Sequence, residues 1–176
     1  GTDEPTATVS ITRDALLSAP AGITGLKMLE SLPGFNVQSN DPLGMYEFGN
    51  SVSVRAFSFT QIGFMLDDVP MGRSDQFGGS PIYRYVDNEN LARVQASSGA
   101  GGVSLPSYAS LGTIVSYYTT APAETFGGLA SMTFGSDSLF RNFLRIDTGE
   151  HDGWSAHLAR SDIQWNLCRG EGAINR

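Results

Sequence analysis

A regular alternation of side chains runs through the last third of the chain and predicts three antiparallel strands. The predicted strands cover residues 126–134, 139–148 and 154–159, with turn signals at 135–138 and 148–153. Segments of about ten residues with this alternation are typical of transmembrane β-barrels, but a soluble antiparallel meander alternates in the same way. The pattern alone leaves both interpretations open.

In the second of these strands the alternation places apolar residues on one side and charged residues on the other. Phe140, Leu144 and Ile146 share one side, and Arg141, Arg145 and Asp147 share the other. Four aromatic residues lie near the ends of the segments, where interfacial girdles are found in membrane barrels, namely Phe126, Phe134, Phe140 and Trp154.

The first two thirds of the chain mix short helical and strand patterns. Thr12 is placed to cap a helix beginning at Arg13, and Leu26, Leu29 and Leu32 recur at helical spacing before Pro33 stops the pattern. Alternating or short apolar runs predict strands at 9–11, 35–39, 51–57, 62–66 and 112–119. A turn is predicted at 67–70, and a capped turn leads into a strand over 86–94.

Composition supports a chain of strands and turns. Of the 176 residues, 16% are charged and 21 are glycine, and no apolar run approaches the roughly 20 residues of a membrane helix. The formal charge of −7 argues against a nucleic-acid partner, because nucleic acids are bound through basic surfaces.

The residues that most enzymes and metal sites depend on are scarce. The chain has two histidines, His151 and His157, and one cysteine, Cys168. No metal-ligand spacing, phosphate-binding loop or nucleophile elbow is present. We therefore expect neither an enzyme nor a bound cofactor or metal.

Five short motifs follow one another in an order that resembles TonB-dependent outer-membrane receptors. They are similar to the family's helix-to-strand passage ending in Pro-Gly, its Ile-Arg-Gly-Phe strand, its Ile-Asp-Gly-Val-Pro turn, its Glu-Arg-Val-Glu strand and its glycine-rich loop with the following strand. The matching residues are Leu29 to Val37, Val52 to Phe57, Met65 to Pro70, Asn90 to Ala96 and Leu111 to Tyr117. Each motif is weak alone, and their order makes the match specific.

Four departures from the family pattern affect local turn geometry and one ion pair. Ala56 and Asp68 stand where the family usually has glycine, and Gln95 stands where it commonly has glutamate. Residues 106–110 differ from the family's Tyr-Gly-Ser segment.

The resemblance implies an α+β plug domain, with a mixed sheet and short helices, followed by the opening antiparallel strands of a transmembrane β-barrel. We expect an N-terminal tail over 1–8, the plug over 9–122, and the first strands of a barrel of about 22 strands over 123–176. Such a barrel needs on the order of 220 residues in strands, so we expect the chain to be a fragment.

Location, function and partners follow from the same resemblance. It implies the outer membrane of a Gram-negative bacterium and active uptake of a scarce ligand, most commonly an iron–siderophore, with the plug as the gate. The implied partners are the rest of the barrel, outer-membrane lipid, the ligand, and the TonB protein, whose binding box we expect upstream of residue 1. The alternative from another class is a soluble β-rich binding or adhesion module.

The resemblance also suggests site residues. Arg55 and Arg93 match arginines that pair with carboxylates of the barrel wall, where a guanidinium favours bidentate partners. Asp67 is expected to cap the turn before Val69. Residues in two apical segments are candidates for hydrogen bonds or aromatic contacts to a bound chelate, namely Tyr46, Arg73, Gln76, Phe77, Tyr83 and Arg84.

Overall fold

The computed structural model describes residues 8–45, 50–55, 57–58, 61–71, 86–97, 113–166 and 173–175. The chain divides into two compact units, Gly1–Thr119 and Thr120–Arg176. Among the described residues, no helix has the length and apolar character needed to cross a membrane.

The first unit carries two sheets. Its strands, in chain order, are β1 (Thr8–Thr12), β2 (Phe35–Gln38), β3 (Ser51–Val54), β4 (Phe57–Ser58), β5 (Gly63–Leu66), β6 (Val69–Pro70), β7 (Leu91–Ser97) and β8 (Ile114–Thr119). In the described part of the chain, one sheet has the order β1-β7-β8-β5-β6 and the other the order β2-β3-β4. β5 and β8 pair in parallel, whereas the other described pairs are antiparallel. The larger sheet is therefore mixed, as predicted.

Short helical segments complete the first unit. Helix α1 (Arg13–Ser18) begins as predicted, because the Thr12 hydroxyl accepts a hydrogen bond from the Ala15 amide at 3.4 Å. The predicted helical segment before Pro33 is a shorter 3₁₀ turn over Lys27–Ser31. A repeat of three residues suits a 3₁₀ turn, in which positions i and i+3 eclipse, and so buries its apolar side. The side chains buried by this spacing are Leu26, Leu29 and Leu32.

One continuous apolar core joins both sheets to these helical segments. Its members come from α1, the 3₁₀ turn and five of the strands, including Leu16, Leu29, Val52, Val94 and Val115. Full burial of each large aliphatic side chain contributes about 1.5–3 kcal/mol. The alternating positions predicted from the sequence therefore supply the core of the first unit.

Arg55 interrupts the strand predicted over 51–57. Its φ of 53° is left-handed, so β3 ends at Val54 and the chain turns before β4 begins at Phe57. The Arg55 amide donates to the Gly34 carbonyl at 3.1 Å, and Gly34 also has a positive φ, 82°. The prediction of one continuous strand is wrong here because alternation of side chains carries no information about a residue with positive φ.

The second unit is an antiparallel sheet with the described order β12-β11-β10-β9. Its strands are β9 (Phe126–Phe134), β10 (Phe140–Thr148), β11 (His157–Asn166) and β12 (Ala173–Asn175). The third predicted strand thus starts three residues later than expected, because Trp154 pairs with His151 inside the turn. The same turn needs a glycine at 149, where φ is 74° and a Cβ would lie 2.7 Å from the Phe126 amide nitrogen.

Candidate functional site

Arg93 lies at the centre of an exposed polar group on the larger sheet. It sits on β7 between Thr12 of β1 and Tyr118 of β8, just after an irregularity in the β7–β8 register. The Arg93 Cζ lies 4.1 Å from the centroid of the Tyr118 ring, within the range of a cation–π contact. The ring holds the guanidinium against the sheet while leaving its N–H groups available for an acceptor.

The turn between β5 and β6 lies beside this group. Asp67 and Asp68 occupy it with φ values of 48° and 63°, the signature of a tight hairpin turn with two left-handed residues. Asp68 thus takes the position where the resembling family has glycine, and aspartate is among the few residues that tolerate this conformation. The departure noted in the sequence therefore leaves the turn geometry intact.

Both carboxylates of this turn bind the end of β8. Asp67 accepts from the Thr119 amide at 2.8 Å and from the Thr119 hydroxyl at 2.7 Å. The Tyr118 hydroxyl donates to Asp68 at 3.1 Å. The described hydrogen bonds of the Asp67 side chain therefore go to the end of the neighbouring parallel strand, and not to the turn before Val69 that the sequence predicted it to cap.

These contacts define what we call the Arg93 group, comprising Arg93, Tyr118, Thr119, Asp67 and Asp68. Tyr118 is held from two sides, by Arg93 over its ring and by Asp68 at its hydroxyl. Arg93 is exposed and has no carboxylate partner among the described residues. Its arrangement suits capture of an external carboxylate by a guanidinium already held in place.

Arg55 lies on the other sheet of the first unit. It follows β3 and is exposed, and its side chain likewise has no carboxylate partner in the ranges that the structure describes. The two predicted pairing arginines therefore belong to different sheets. Their pairing with a barrel wall stays a prediction.

The six predicted ligand-contact residues lie outside the described residues. They are Tyr46, Arg73, Gln76, Phe77, Tyr83 and Arg84. Within the part of the chain that the structure describes, no group of three or more His, Cys, Asp or Glu residues is placed to hold a metal ion.

Arg13 has a structural role that the sequence did not suggest. Its Nη1 donates to the carbonyl of Leu91 at 2.6 Å and to that of Glu89 at 3.2 Å, joining the start of α1 to the start of β7. The partners are backbone groups more than 70 residues away in the chain. Because any residue supplies such a carbonyl, no residue type in the sequence signals the contact.

The two sides of β10 in the second unit differ in character. Large apolar side chains are exposed on the side that carries Leu144 and Ile146 of β10, and they are Phe126, Met132, Phe134, Leu144, Ile146 and Leu158. The opposite side of β10 buries Arg141, Phe143, Arg145 and Asp147. On β10 this pattern is inverted relative to a soluble meander. On β11 the exposed side also carries Arg160, and the buried side carries Ile163 and Trp165.

Aromatic side chains mark both ends of this exposed apolar side. Phe126 and Trp154 are exposed at the end where β10 leads into β11. Phe134 and Phe140 pair across the other end, with ring centroids 5.3 Å apart. The four residues predicted as girdle aromatics therefore form two separate groups at the strand ends.

Solved structures of outer-membrane receptors share this fold. The pyoverdine receptor FpvA of Pseudomonas aeruginosa PAO1 aligns with a TM-score of 0.74 and 20% identity over 93% of this chain and 23% of its own. The alcaligin receptor FauA of Bordetella pertussis gives 0.67 and 19% over 94% and 27%, and the copper transporter OprC gives 0.66 and 16% over 90% and 24%. The chain thus spans about a quarter of the length of these structures. No curated protein matches it at a significant level.

The family comparison covers more than half of the chain. Residues 2–113 match the family described as TonB-dependent Receptor Plug Domain. The predicted fold class, a mixed-sheet plug with a short helix followed by antiparallel strands, is confirmed. The expected outer-membrane location and the expectation of a non-enzymatic transporter component are confirmed by the same comparison. The chain belongs to the TonB-dependent receptor family and carries its plug domain.

Proposed function

We propose that this chain supplies the gate of a TonB-energised receptor that takes up a scarce ligand, most commonly an iron–siderophore, across the outer membrane. In this proposal residues 9–122 are the plug that fills the barrel lumen and residues 123–176 are the first strands of the surrounding wall. The observation that carries the proposal is the succession of a plug-family domain and a sheet with an exposed apolar side.

The dimensions of the second sheet support a place in the bilayer. β9 and β10 have nine residues each, which corresponds to about 30 Å along a strand. Tilted by about 40°, such a strand spans about 23 Å, close to the ~25 Å apolar band of outer-membrane barrels. The aromatic residues at both strand ends lie where interfacial girdles are expected.

The exposed arginines support a polar, hydrated interface between plug and wall. Arg93 is held over Tyr118 and has no carboxylate partner among the described residues, and Arg55 is exposed after β3. We propose that both pair with carboxylates of the barrel wall, so that the plug is retained by contacts that exchange readily with water. Such contacts seal the lumen without the large apolar interface that would make displacement of the plug costly.

The nature of the ligand is the least constrained part of the proposal. The matching structures include receptors named for pyoverdine and alcaligin and a copper transporter, so the shared fold is compatible with different cargoes. We propose an iron chelate, with contacts from Tyr46, Arg73, Gln76, Phe77, Tyr83 and Arg84. Arginines offer charge-assisted hydrogen bonds to anionic chelates, and aromatic rings offer faces to their apolar parts.

Uptake by the intact receptor tests the proposal. A strain lacking the receptor gene and other iron receptors is supplied with radioiron bound to hydroxamate or catecholate siderophores. Restoring the intact gene should restore uptake of at least one of them, and removal of TonB or an uncoupler should abolish it. Uptake that persists without TonB would contradict the energised mechanism. Restored uptake of a copper or cobalamin probe, with none of the iron chelates transported, would contradict the proposed ligand class.

A further inference from the structure

A buried ion pair on β10 lies beside residues 120–124, which begin the second unit. Arg145 and Asp147 are two residues apart, so their side chains leave the same side of the sheet. Arg145 donates through Nε to Asp147 Oδ2 at 2.9 Å and through Nη2 to Oδ1 at 2.7 Å. Both side chains are 8% exposed. The two parallel hydrogen bonds make this a bidentate pair, the strongest form of the interaction.

Further hydrogen bonds of the pair hold residues 120–123. Arg145 Nη2 donates to the Ala121 carbonyl at 3.1 Å, and Nη1 donates to the Thr120 hydroxyl. The Ala123 amide in turn donates to Asp147 Oδ1 at 2.9 Å. Arg145 therefore contacts Thr120 and Ala121, and Asp147 contacts Ala123. Three of the four residues that follow Thr119 are bound by the pair.

The attachment continues into the turn after β10. The Glu150 amide donates to the Glu124 carbonyl at 2.9 Å. The close approach at Gly149, where a Cβ would meet Phe126 and its neighbours, brings the start of β9 against the same turn. Residues 120–124 are thus attached along β10 and its turn by consecutive hydrogen bonds.

Polar contacts, and not apolar burial, hold this segment in place. Ala121 and Ala123 are exposed, so they contribute their backbone groups and little buried area. Pro122 fixes one φ and lowers the entropy that the segment loses on attachment. Removing one member of a buried ion pair leaves the other charge uncompensated, which is strongly unfavourable. The attachment of residues 120–124 should therefore depend on Arg145 and Asp147 together.

We propose that Arg145 and Asp147 act as a clamp that keeps residues 120–124 attached to the barrel wall while the plug is displaced. The inference rests on the proposed function, in which force applied to the plug must not be passed on to the first strand of the wall. The clamp ends the displaceable part of the chain near Thr119, so residues 120–122, which were predicted from the sequence to lie in the plug, stay with the wall. It makes Arg145 and Asp147 positioning residues for the gate.

Hydrogen exchange of the intact receptor in detergent, read by mass spectrometry, tests the clamp. The informative amides are those of Ala123, which donates to Asp147, and of Glu150, which donates to the Glu124 carbonyl. In Asp147→Asn the Ala123 amide should exchange about tenfold faster or more, because a charge-assisted hydrogen bond is weakened. In Thr120→Val, which leaves the ion pair intact, a smaller acceleration is expected. The matched control is Thr125→Val, an exposed threonine of the same segment outside the clamp, which should leave exchange unchanged.

A second experiment shows whether residues 120–124 open together with the plug or remain attached to the wall. Urea is added to the unmutated receptor until the amides of β8 exchange about tenfold faster. The Ala123 amide should then stay protected, as the amides of β10 do, whereas in Asp147→Asn or Thr120→Val it should accelerate toward the β8 rate. Acceleration of the Ala123 amide together with β8 in the unmutated receptor would overturn the proposal, as would unchanged exchange in both variants. Because exchange is measured without ligand or TonB, these results are separate from the uptake test.

Discussion

The Tyr117 ring occupies the space where a side chain at Gly25 would stand. A Cβ built on Gly25 would lie 2.8 Å from Tyr117 Cε1, and the Tyr117 hydroxyl donates to the Gly25 carbonyl at 3.0 Å. Tyr117 is 1% exposed and belongs to the plug core. The glycine therefore serves close packing, and the hydrogen bond satisfies a phenol that is otherwise removed from water.

Gly25→Ala should destabilise the plug by about 1–3 kcal/mol, because the large Tyr117 ring has no free space in a packed core. The measurement is the urea dependence of hydrogen exchange in plug peptides of the intact receptor. Gly127→Ala is the control, since a Cβ there meets nothing within 4 Å. Equal urea dependence of the Gly25→Ala and unmutated receptors would show that Tyr117 moves aside freely.

The buried phenol also predicts how plug stability varies with pH. Burial raises the pKa of Tyr117 above its ordinary value of about 10. Below about pH 10 the folded and unfolded chains are both protonated, and the contribution to stability is fully present. At higher pH the unfolded chain releases a proton that the folded chain retains, so stability should fall, by up to about 1.4 kcal/mol per pH unit.

Urea titrations of the plug signal between pH 8 and pH 11 measure this effect. Tyr117→Phe should be less stable at pH 8, because the Gly25 carbonyl loses its donor, and should show a flatter decline above pH 10. A decline of the same slope in Tyr117→Phe would assign the effect to other groups.

A charged residue introduced on the exposed apolar side of the second unit should impair assembly of the barrel in the membrane. Leu144→Arg places a second cation opposite Arg160 on the side that we propose faces lipid, which costs up to about 2–4 kcal/mol near the middle of the bilayer. The variant should reach the outer membrane in a lower amount and lose folded, heat-modifiable barrel on gels. Glu150→Arg, in the exposed turn after β10, should leave both unchanged. Normal assembly of Leu144→Arg would contradict the lipid-facing assignment.

The proposed arginine contacts can be tested by permeability. Arg93→Ala removes the guanidinium held over Tyr118, and it should loosen the plug and raise the entry of large antibiotics. Arg55→Ala should do the same. Arg55→Gly removes the same charge while relieving the positive φ, so comparison of the two Arg55 variants separates the side chain from backbone strain. Unchanged permeability in Arg93→Ala and both Arg55 variants would argue against pairing with the wall.

Local patterns in the sequence predicted most of the elements because their causes are local. Thr12 caps α1 by a hydrogen bond to a residue only three positions further along the chain. The alternation from Phe126 to Thr148 reflects the two sides of a sheet. The turn at Arg55 was missed because positive φ in an arginine leaves no trace in the alternation. Residues three apart lie on one side of both an α-helix and a 3₁₀ turn, so the leucine spacing after Leu26 was compatible with either.

The site was less predictable because its contacts join distant parts of the chain. The sequence placed Arg145 and Asp147 on one side of a strand, but it gave no sign that they bind residues 120–123. The stacking of Arg93 on Tyr118 likewise depends on the β7–β8 register. The pairing of Arg93 with the wall stays a prediction from the family resemblance, whereas its stacking on Tyr118 is seen in the structure.

Removal of the plug from the intact receptor tests the central claim most directly. Residues 9–119 are deleted in frame, and entry of a large antibiotic such as vancomycin is measured in cells with equal amounts of folded barrel. The account predicts that the deletion variant admits the antibiotic and loses TonB-dependent uptake, while the full receptor stays closed. A folded deletion variant that remains impermeable would contradict the assignment of this domain as the gate.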